Sequence, residues 1–466
     1  KLMQNFSQNP IRYDLSQKRR VLSLSFILYL NTLLFVCNMQ LFSFLKKEFV
    51  KNVLTLITGS ALSQIIIYAS ILLLTRLFST ELFGVYFLFT SSVLLLKPII
   101  SLQLELAIVL PKKDEEAINI FALTTIVLFL LSIILFLLIL IFKKNIYAFF
   151  EIEKLTYFIY LIPLSTFCYG FISTLNYWNN RTKCFKNISK GNIIKASTLS
   201  VSQIVTGYSE FKNIGLIPGM ILGQITQIML LLKVSFSSLN NLKKEISLNK
   251  IIFLAKKYKD IPKFNTLISF LNTLSNEIPV FMITKYFGLA NAGIYGLAIK
   301  VGRAPSAIIQ DSVSQIFFNK ATDVYNKEEK LYEIVKKTCF NLFKISLLIF
   351  IPLLVLSYFL DIIFSKDWSD VGLYLRILIP WLFIMLLSSP ISSLIVILNK
   401  QKTILFYDIF LLTFRFLAFY LGYYLYNDIL ISLILFSAVG VFFNIFILIY
   451  FFKISKTESK RRTAYK

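Results

Sequence analysis

The sequence predicts an all-α polytopic membrane protein, and three observations support this fold class. Hydrophobic residues make up 57% of the 466 positions and charged residues only 16%, whereas soluble domains carry about a quarter charged residues. Apolar runs of about 20 residues, long enough to cross a hydrocarbon core of roughly 30 Å, recur along the chain. The run 121–142 is apolar on every face, which excludes the alternating strands of a β-barrel.

Twelve membrane spans are predicted, six on each side of a polar stretch at 236–263. In chain order they cover residues 53–75, 83–108, 117–142, 156–177, 192–208, 214–235, 264–284, 289–310, 338–360, 371–397, 403–426 and 428–452. The predicted domains are an N-terminal extension (1–38), two six-helix bundles (39–235 and 264–453), a connector between them (236–263) and a basic tail (454–466).

The N-terminal extension does not fit the twelve-span scheme. The stretch 21–45 is long and apolar enough to be a thirteenth span, but lysine or arginine flanks it on both sides. Charge therefore favours neither orientation. We expect the functional unit to begin at Met39, and a chain started there should still insert into the membrane.

An internal repeat predicts that the two halves are related by pseudo-symmetry. The segment 75–86 recurs 209 positions later as 284–295. In a very hydrophobic chain, doubling is typical of transporters whose substrate site lies between two equivalent halves. With six spans in each half, the repeat axis should lie along the membrane normal. Both copies fall between the first two spans of their half. The glycine and tyrosine that the two copies share are therefore predicted gate or hinge residues: Gly84, Tyr86, Gly293 and Tyr295.

The distribution of lysine and arginine predicts the orientation. Loops after even-numbered spans, together with the tail, carry 26 of these residues, and loops after odd-numbered spans carry 7. The positive-inside rule then places both ends of the twelve-span unit in the cytoplasm. This bias also explains most of the net charge of +25, which we attribute to anionic lipid headgroups rather than to nucleic acid.

Several enzyme chemistries are disfavoured by composition. The chain has no histidine, which removes Ser-His and Cys-His nucleophile pairs and histidine metal sites. Its four cysteines are far apart and lack the spacing of metal ligands, and no Walker loop is present. We therefore expect no metal, no cofactor and no enzymatic activity.

Cations inside predicted spans are the strongest indication of a functional site, because burying charge in a membrane is costly. Lysine outnumbers arginine by 39 to 10, yet three arginines fall within spans. Arginine keeps its charge in poorly solvated sites and binds phosphate through two parallel hydrogen bonds. The predicted substrate-binding residues are Lys97, Arg303, Arg415 and Arg376. Snorkelling of the side chain to the interface is an open alternative for Arg376.

Two of these cations lie next to prolines. Lys97 precedes Pro98, and Arg303 lies two residues before Pro305. Proline kinks a helix, and membrane proteins tolerate this where the backbone lines a cavity. Lys97 and Arg303 lie in equivalent spans of the two halves. The pair is therefore a predicted cradle for a diphosphate, with both prolines as hinge residues.

Acidic residues within the spans are candidates for ion coupling. Without histidine, a buried carboxylate is the remaining proton carrier, and Glu277 and Asp408 are the predicted coupling residues. Asp408 lies seven positions before Arg415, so the two side chains share a helix face and can instead neutralise each other. Glu105 is expected to form an interfacial pair with Lys112 or Lys113.

Several stretches resemble bacterial polysaccharide-biosynthesis membrane proteins, the O-antigen and capsule repeat-unit flippases. The most specific is 104–117 (LELAIVLPKKDEEA), and similar stretches occur at 44–52, 74–78, 176–181 and 215–224. The resemblance implies the multidrug/oligosaccharidyl-lipid/polysaccharide flippase superfamily. Its expected architecture is two six-helix bundles that form a V in the bacterial inner membrane and open alternately to each side. The family has no invariant catalytic motif, so the resemblance names no site residues.

The resemblance also implies a function. The expected substrate is an undecaprenyl-diphosphate-linked oligosaccharide, moved from the cytoplasmic to the outer leaflet, with a polymerase and glycosyltransferases of the same pathway as partners. A multidrug or metabolite exporter of the same superfamily is the nearest alternative. A membrane glycosyltransferase or polymerase is a weaker one, since the longest outward loop, about 143–155, is short. A lipid-headgroup-binding scaffold without transport is the weakest.

Overall fold

The computed structural model describes residues 47–150, 158–210, 214–326, 331–398 and 400–463. Within these ranges every regular element is a helix, as predicted. We number those of eight residues or more, which are α1 Lys47–Leu77, α2 Thr80–Ser101, α3 Asp114–Phe150, α4 Ile162–Arg181, α5 Phe185–Gly207, α6 Leu216–Leu242, α7 Leu248–Lys257, α8 Thr266–Asn326, α9 Leu331–Ser357, α10 Asp370–Ser388, α11 Gln401–Tyr426 and α12 Ile429–Thr463. The N-terminal extension, the predicted thirteenth span and Met39 all lie outside these residues.

Nine helical stretches of the described residues are long and apolar enough to cross a membrane. They correspond to predicted spans one to four, six and nine to twelve. The fifth predicted span is α5, and spans seven and eight are joined within α8. The chain is thus a multi-pass helical protein, and the total of twelve spans stays a prediction.

A single glycine divides α8 into two segments, 266–287 and 289–326. Gly288 has φ of +84°, the one non-helical position inside this element. Only glycine adopts this backbone conformation readily. The two segments therefore diverge at Gly288, where the sequence predicts the short loop between spans seven and eight.

The glycine-rich face of α6 packs closely on α5. A Cβ atom on Gly215, Gly219 or Gly223 would contact Thr206, Gln203 or the Lys195 carbonyl, respectively, at less than 3.0 Å. Small residues at this spacing allow two backbones to approach within a membrane. The contact makes α5 and α6 part of one N-terminal bundle.

The two bundles meet along α2 and α8, and their contacts follow the repeat. The Tyr68 hydroxyl donates to the Lys300 carbonyl at 2.8 Å, and the Ser91 hydroxyl donates to Glu277 Oε2 at 2.6 Å. A shift of 209 positions converts the first pair into the second, since it relates Tyr68 to Glu277 and Ser91 to Lys300. The repeat in the sequence is therefore also a repeat in the contacts between the halves.

The connector is bound to the N-terminal bundle at one end of the molecule, here called the connector end. Asn119, which is fully buried, donates to the Glu245 carbonyl and accepts from the Ser247 backbone N–H, both at 2.9 Å. Lys250 pairs with Glu245 and Glu115 at 3.1 and 3.4 Å, and the hydrogen bond that Lys250 donates to Glu245 raises the pKa of Lys250. We call the opposite end, which carries 78–79 and 358–369, the gate end.

Candidate functional site

Arg415, the most buried cation among the described residues, lies in the C-terminal bundle. Arg415 on α11 is 2% exposed, and its Nη1 donates to both the carbonyl and the hydroxyl of Ser275 at 2.8 and 2.9 Å. Ser275 belongs to the first segment of α8. The guanidinium also lies 4.9 Å from the ring centres of Trp381 and Phe436. A buried charge is tolerated here because hydrogen bonds and aromatic faces replace its hydration.

Arg303 approaches the same tryptophan from the second segment of α8. Its guanidinium carbon lies 5.3 Å from the Trp381 ring centre, and its Nη2 donates to the Asn276 side chain at 3.2 Å. Asn276 is adjacent to Ser275, so one turn of α8 contacts both arginines. Arg303 is partly exposed while Arg415 is buried. Arg303 thus forms the rim of a cationic cluster, and Arg415 forms its floor.

Three N–H donors in this cluster lack acceptors. Arg303 Nε, Arg415 Nε and Trp381 Nε1 are all buried and have no hydrogen-bond partner among the described residues. Buried donors are nearly always paired, and an exception calls for a physical explanation. Two guanidinium groups beside one indole ring suit an anion with several oxygen atoms, such as a phosphate, while the Nε1 edge of Trp381 packs against Gly440.

Lys97, predicted as half of a diphosphate cradle, already has an anionic partner. Its Nζ lies 2.7 Å from Glu105 Oε1, and Glu105 is fully buried. The pair forms because α2 ends three residues after Pro98, and the next two residues, Leu102 and Gln103, are in the left-handed conformation. This turn brings the short 3₁₀ helix Leu104–Val109 back alongside α2. Glu105 therefore pairs with Lys97 rather than with Lys112 or Lys113.

Two further predicted residues lie apart from the guanidinium pair. Arg376, near the start of α10, donates to the Ser357 carbonyl at 3.3 Å and lies over the Tyr358 ring at 4.3 Å. This location at the gate end agrees with the snorkelling alternative. Asp408 is buried on α11 and does not form the ion pair with Arg415 that the spacing allows. Seven helical positions separate the two by about 10 Å along the axis.

Lys300 and Trp381 belong to this region but were not predicted. The Lys300 ammonium lies 5.8 and 6.0 Å from the ring centres of Tyr86 and Phe87, which belong to the other half. Lysine inside the predicted span 289–310 was the available signal, the same one that selected Arg303. Trp381 lies at the middle of the predicted span 371–397. Tryptophan in membrane spans is usually found at the interface, so a tryptophan at the centre of a span was an available signal.

The gate end holds contacts that cross between the halves. The carbonyl of Thr75 accepts hydrogen bonds from Trp368 Nε1 at 3.0 Å and from the Ser365 hydroxyl at 3.2 Å. Phe83 meets the Trp368 ring edge-on at 4.8 Å. Lys285 donates to the carbonyl of Phe149, at the end of α3, at 2.8 Å. Both copies of the repeat thus contact the opposite half at this end.

The predicted gate glycines lie at a close approach of the two halves. A Cβ on Gly84 would overlap the Leu289 carbonyl, and a Cβ on Gly293 would overlap the Thr80 carbonyl. Tyr86 and Tyr295 are buried beside them. Pro98 and Pro305 lie inside α2 and α8. Within the described ranges, no group of three or more Cys, Asp and Glu side chains is arranged to hold a metal ion.

The helical bundles and their repeat-related contacts define a multi-pass membrane protein with two related halves. The sequence model of a family described as polysaccharide biosynthesis protein matches residues 73–372. This match covers more than half of the chain, so the protein belongs to that family. The resemblance predicted from the sequence is confirmed. A comparison with curated proteins gives no match.

Solved structures of MATE transporters share the fold. One is the inward-facing conformation of a multidrug resistance MATE family transporter of the MOP superfamily, with a TM-score of 0.65, 14% identity, and coverage of 88% of this chain and 95% of that chain. The outward-facing conformation of such a transporter has a TM-score of 0.61 and 13% identity, with coverage of 89% of this chain and 97% of that chain. MATE in the straight conformation has a TM-score of 0.63 and 14% identity, with coverage of 89% of this chain and 97% of that chain. At these identities the likeness shows the fold alone, and the predicted fold class is confirmed.

Proposed function

We propose that the protein is a flippase that moves an undecaprenyl-diphosphate-linked oligosaccharide from the cytoplasmic to the outer leaflet of the bacterial inner membrane, for O-antigen or capsule synthesis. It does so without enzymatic chemistry. Family membership supports a role in polysaccharide biosynthesis, and the transporter fold supports translocation. The lysine-rich connector end faces the cytoplasm under the positive-inside rule.

The observation that carries this proposal is the cationic cluster of Arg303, Arg415 and Trp381. Its two guanidinium groups, each with an unpartnered Nε, offer the diphosphate a binding site inside the membrane, where a dianion otherwise has no stable location. Arg303, at the rim, receives the phosphates first. Lys97 is neutralised by Glu105, so in this proposal it shapes the N-terminal bundle and the two arginines bind the substrate.

Alternating access then follows from the contacts between the halves. At the gate end Thr75, Trp368 and the Gly84–Gly293 crossing hold the bundles together, which closes the outer side. Opening outward requires these contacts to separate while contacts form at the connector end. Glu277 is positioned to sense this movement, because Ser91 of the other half donates to it. We assign ion coupling to Glu277 and Asp408.

A strain that relies on this protein tests the proposal. Replacing Arg303 and Arg415 together with Gln should abolish surface glycan, while lipid-linked oligosaccharide accumulates on the cytoplasmic side and the protein remains in the membrane. A matched control is Arg376→Gln, which removes the same charge at the gate end. Wild-type surface glycan in the double variant would contradict the proposal.

A multidrug exporter is the second candidate, favoured by the shared fold with MATE transporters. Exporters of cationic drugs need acidic cavities, whereas this site carries two arginines. Drug susceptibility separates the two candidates. Deleting the gene should leave susceptibility to cationic drugs unchanged while surface glycan is lost, and the opposite result would favour the exporter.

A further inference from the structure

A groove with a volume of about 400 Å³ opens on the outside of the N-terminal bundle, away from the cationic cluster. It runs between α3 and α6 and ends against the connector. Its apolar lining includes Phe121, Ile126 and Phe236, and the last two of these are largely exposed. In a membrane protein such a surface faces acyl chains.

The connector end of the groove is polar and basic. Asn240 and Lys243 line it there, and Lys244 follows on the same short helix, Lys243–Glu245. Both lysines are exposed. The nearest carboxylate in sequence, Glu245, is bound by Lys250 at 3.1 Å. Two exposed lysines therefore lie at the mouth of an apolar groove, and neither forms an ion pair within the described part of the chain.

We propose that this groove binds an anionic phospholipid of the cytoplasmic leaflet. One acyl chain lies between α3 and α6, and the phosphate pairs with Lys243 and Lys244 where the connector leaves α6. Charge complementarity selects an anionic headgroup, since a polybasic segment beside the bilayer attracts such lipids. The apolar lining accounts for the chain.

Bound lipid would also stabilise the connector. Ile246 lines the groove, and its two neighbours, Glu245 and Ser247, are the residues whose backbone Asn119 holds. A chain packed against Ile246 favours this docked arrangement. Because the connector joins the two bundles, the lipid site acts on their relative movement, apart from the substrate site.

Native mass spectrometry of the full-length protein, released from bilayers with equal phosphatidylglycerol and phosphatidylcholine, tests the proposal. Wild type should retain phosphatidylglycerol preferentially. Lys243→Gln with Lys244→Gln should lower that preference by about fivefold per lysine. Lys186→Gln with Lys190→Gln removes the same charge from the α4–α5 region and should leave the preference unchanged. Equal retention of both lipids by wild type, or equal losses in both double variants, would overturn the proposal.

A second variant tests the groove itself. Ala122→Phe fills the space between α3 and α6 and should reduce the occupancy of both lipids without loss of helical content. Unchanged occupancy would overturn the location. Addition of undecaprenyl phosphate to wild type should leave phosphatidylglycerol bound, and displacement would overturn the assignment by showing that the groove holds the carrier lipid.

Discussion

Gly84 and Gly293 lie opposite each other where the two halves cross, and each faces a backbone carbonyl of the other half. Gly84 packs on Leu289, and Gly293 packs on Thr80. A shift of 209 positions exchanges these two contacts. The glycines therefore mark the pseudo-symmetry axis of the molecule and allow the backbones to meet there.

Gly84→Ala and Gly293→Ala should each separate the halves at the gate end. The added methyl group meets backbone rather than a flexible side chain, so each variant should lose about 1–3 kcal/mol of stability, measured by thermal unfolding of the purified protein. Gly191→Ala is the matched control, because its Cβ would make ordinary contacts at 3.4 Å. Equal stability in all three variants would contradict the close crossing.

The hydrogen bond from Ser91 to Glu277 should contribute more than its repeat-related counterpart. The acceptor of Ser91 is a carboxylate, whereas Tyr68 donates to a neutral carbonyl. Hydrogen bonds to charged groups contribute about 1.5–3 kcal/mol and neutral ones about 1 kcal/mol. Ser91→Ala should therefore destabilise the protein more than Tyr68→Phe at neutral pH. Equal effects of the two substitutions would contradict this ranking.

Removing one member of the Lys97–Glu105 pair should be costly, and removing both should not. Lys97→Gln leaves a fully buried carboxylate without its ion pair, which typically costs about 3–5 kcal/mol. Lys97→Gln combined with Glu105→Gln should be more stable than the single variant and should still export glycan. Loss of export in a stable double variant would show that the Lys97 charge binds substrate after all.

Trp368→Phe should weaken the gate end while keeping its packing. The substitution removes the hydrogen bond from Nε1 to the Thr75 carbonyl but leaves an aromatic ring against Phe83. Spin labels on the gate-end loops of the two halves should show a wider distance distribution than in wild type. An unchanged distribution would indicate that Trp368 does not hold the gate closed.

The helices could be predicted because membrane-spanning runs depend on length and apolar composition, which are local properties. The repeat at 75–86 and 284–295 predicted gate or hinge residues, and Gly84 and Gly293 among them lie where the two halves meet, but the sequence did not indicate which residues they contact. The fifth predicted span coincides with the helix α5, but its polar residues keep it outside the nine described stretches that are apolar enough to cross a membrane.

The composition of the site was harder to predict. Arg415 contacts Ser275 across 140 positions, and sequence spacing carries no information about such a contact. Lys97 and Glu105 meet only because Leu102 and Gln103 adopt a left-handed conformation, for which neither residue is a usual signal. Charge within a span therefore selected Lys97, Arg303 and Arg415 as candidates, but only the folded chain separates the lysine paired with Glu105 from the two arginines.

Transport by the purified protein tests the central claim most directly. In proteoliposomes loaded with an undecaprenyl-diphosphate-linked oligosaccharide, the wild-type protein should move the sugar across the bilayer, measured by its accessibility to an added glycosidase. Arg303→Gln combined with Arg415→Gln should abolish this movement, and Lys97→Gln combined with Glu105→Gln should preserve it. Equal transport by the arginine double variant and wild type would contradict the assignment of the diphosphate to Arg303, Arg415 and Trp381.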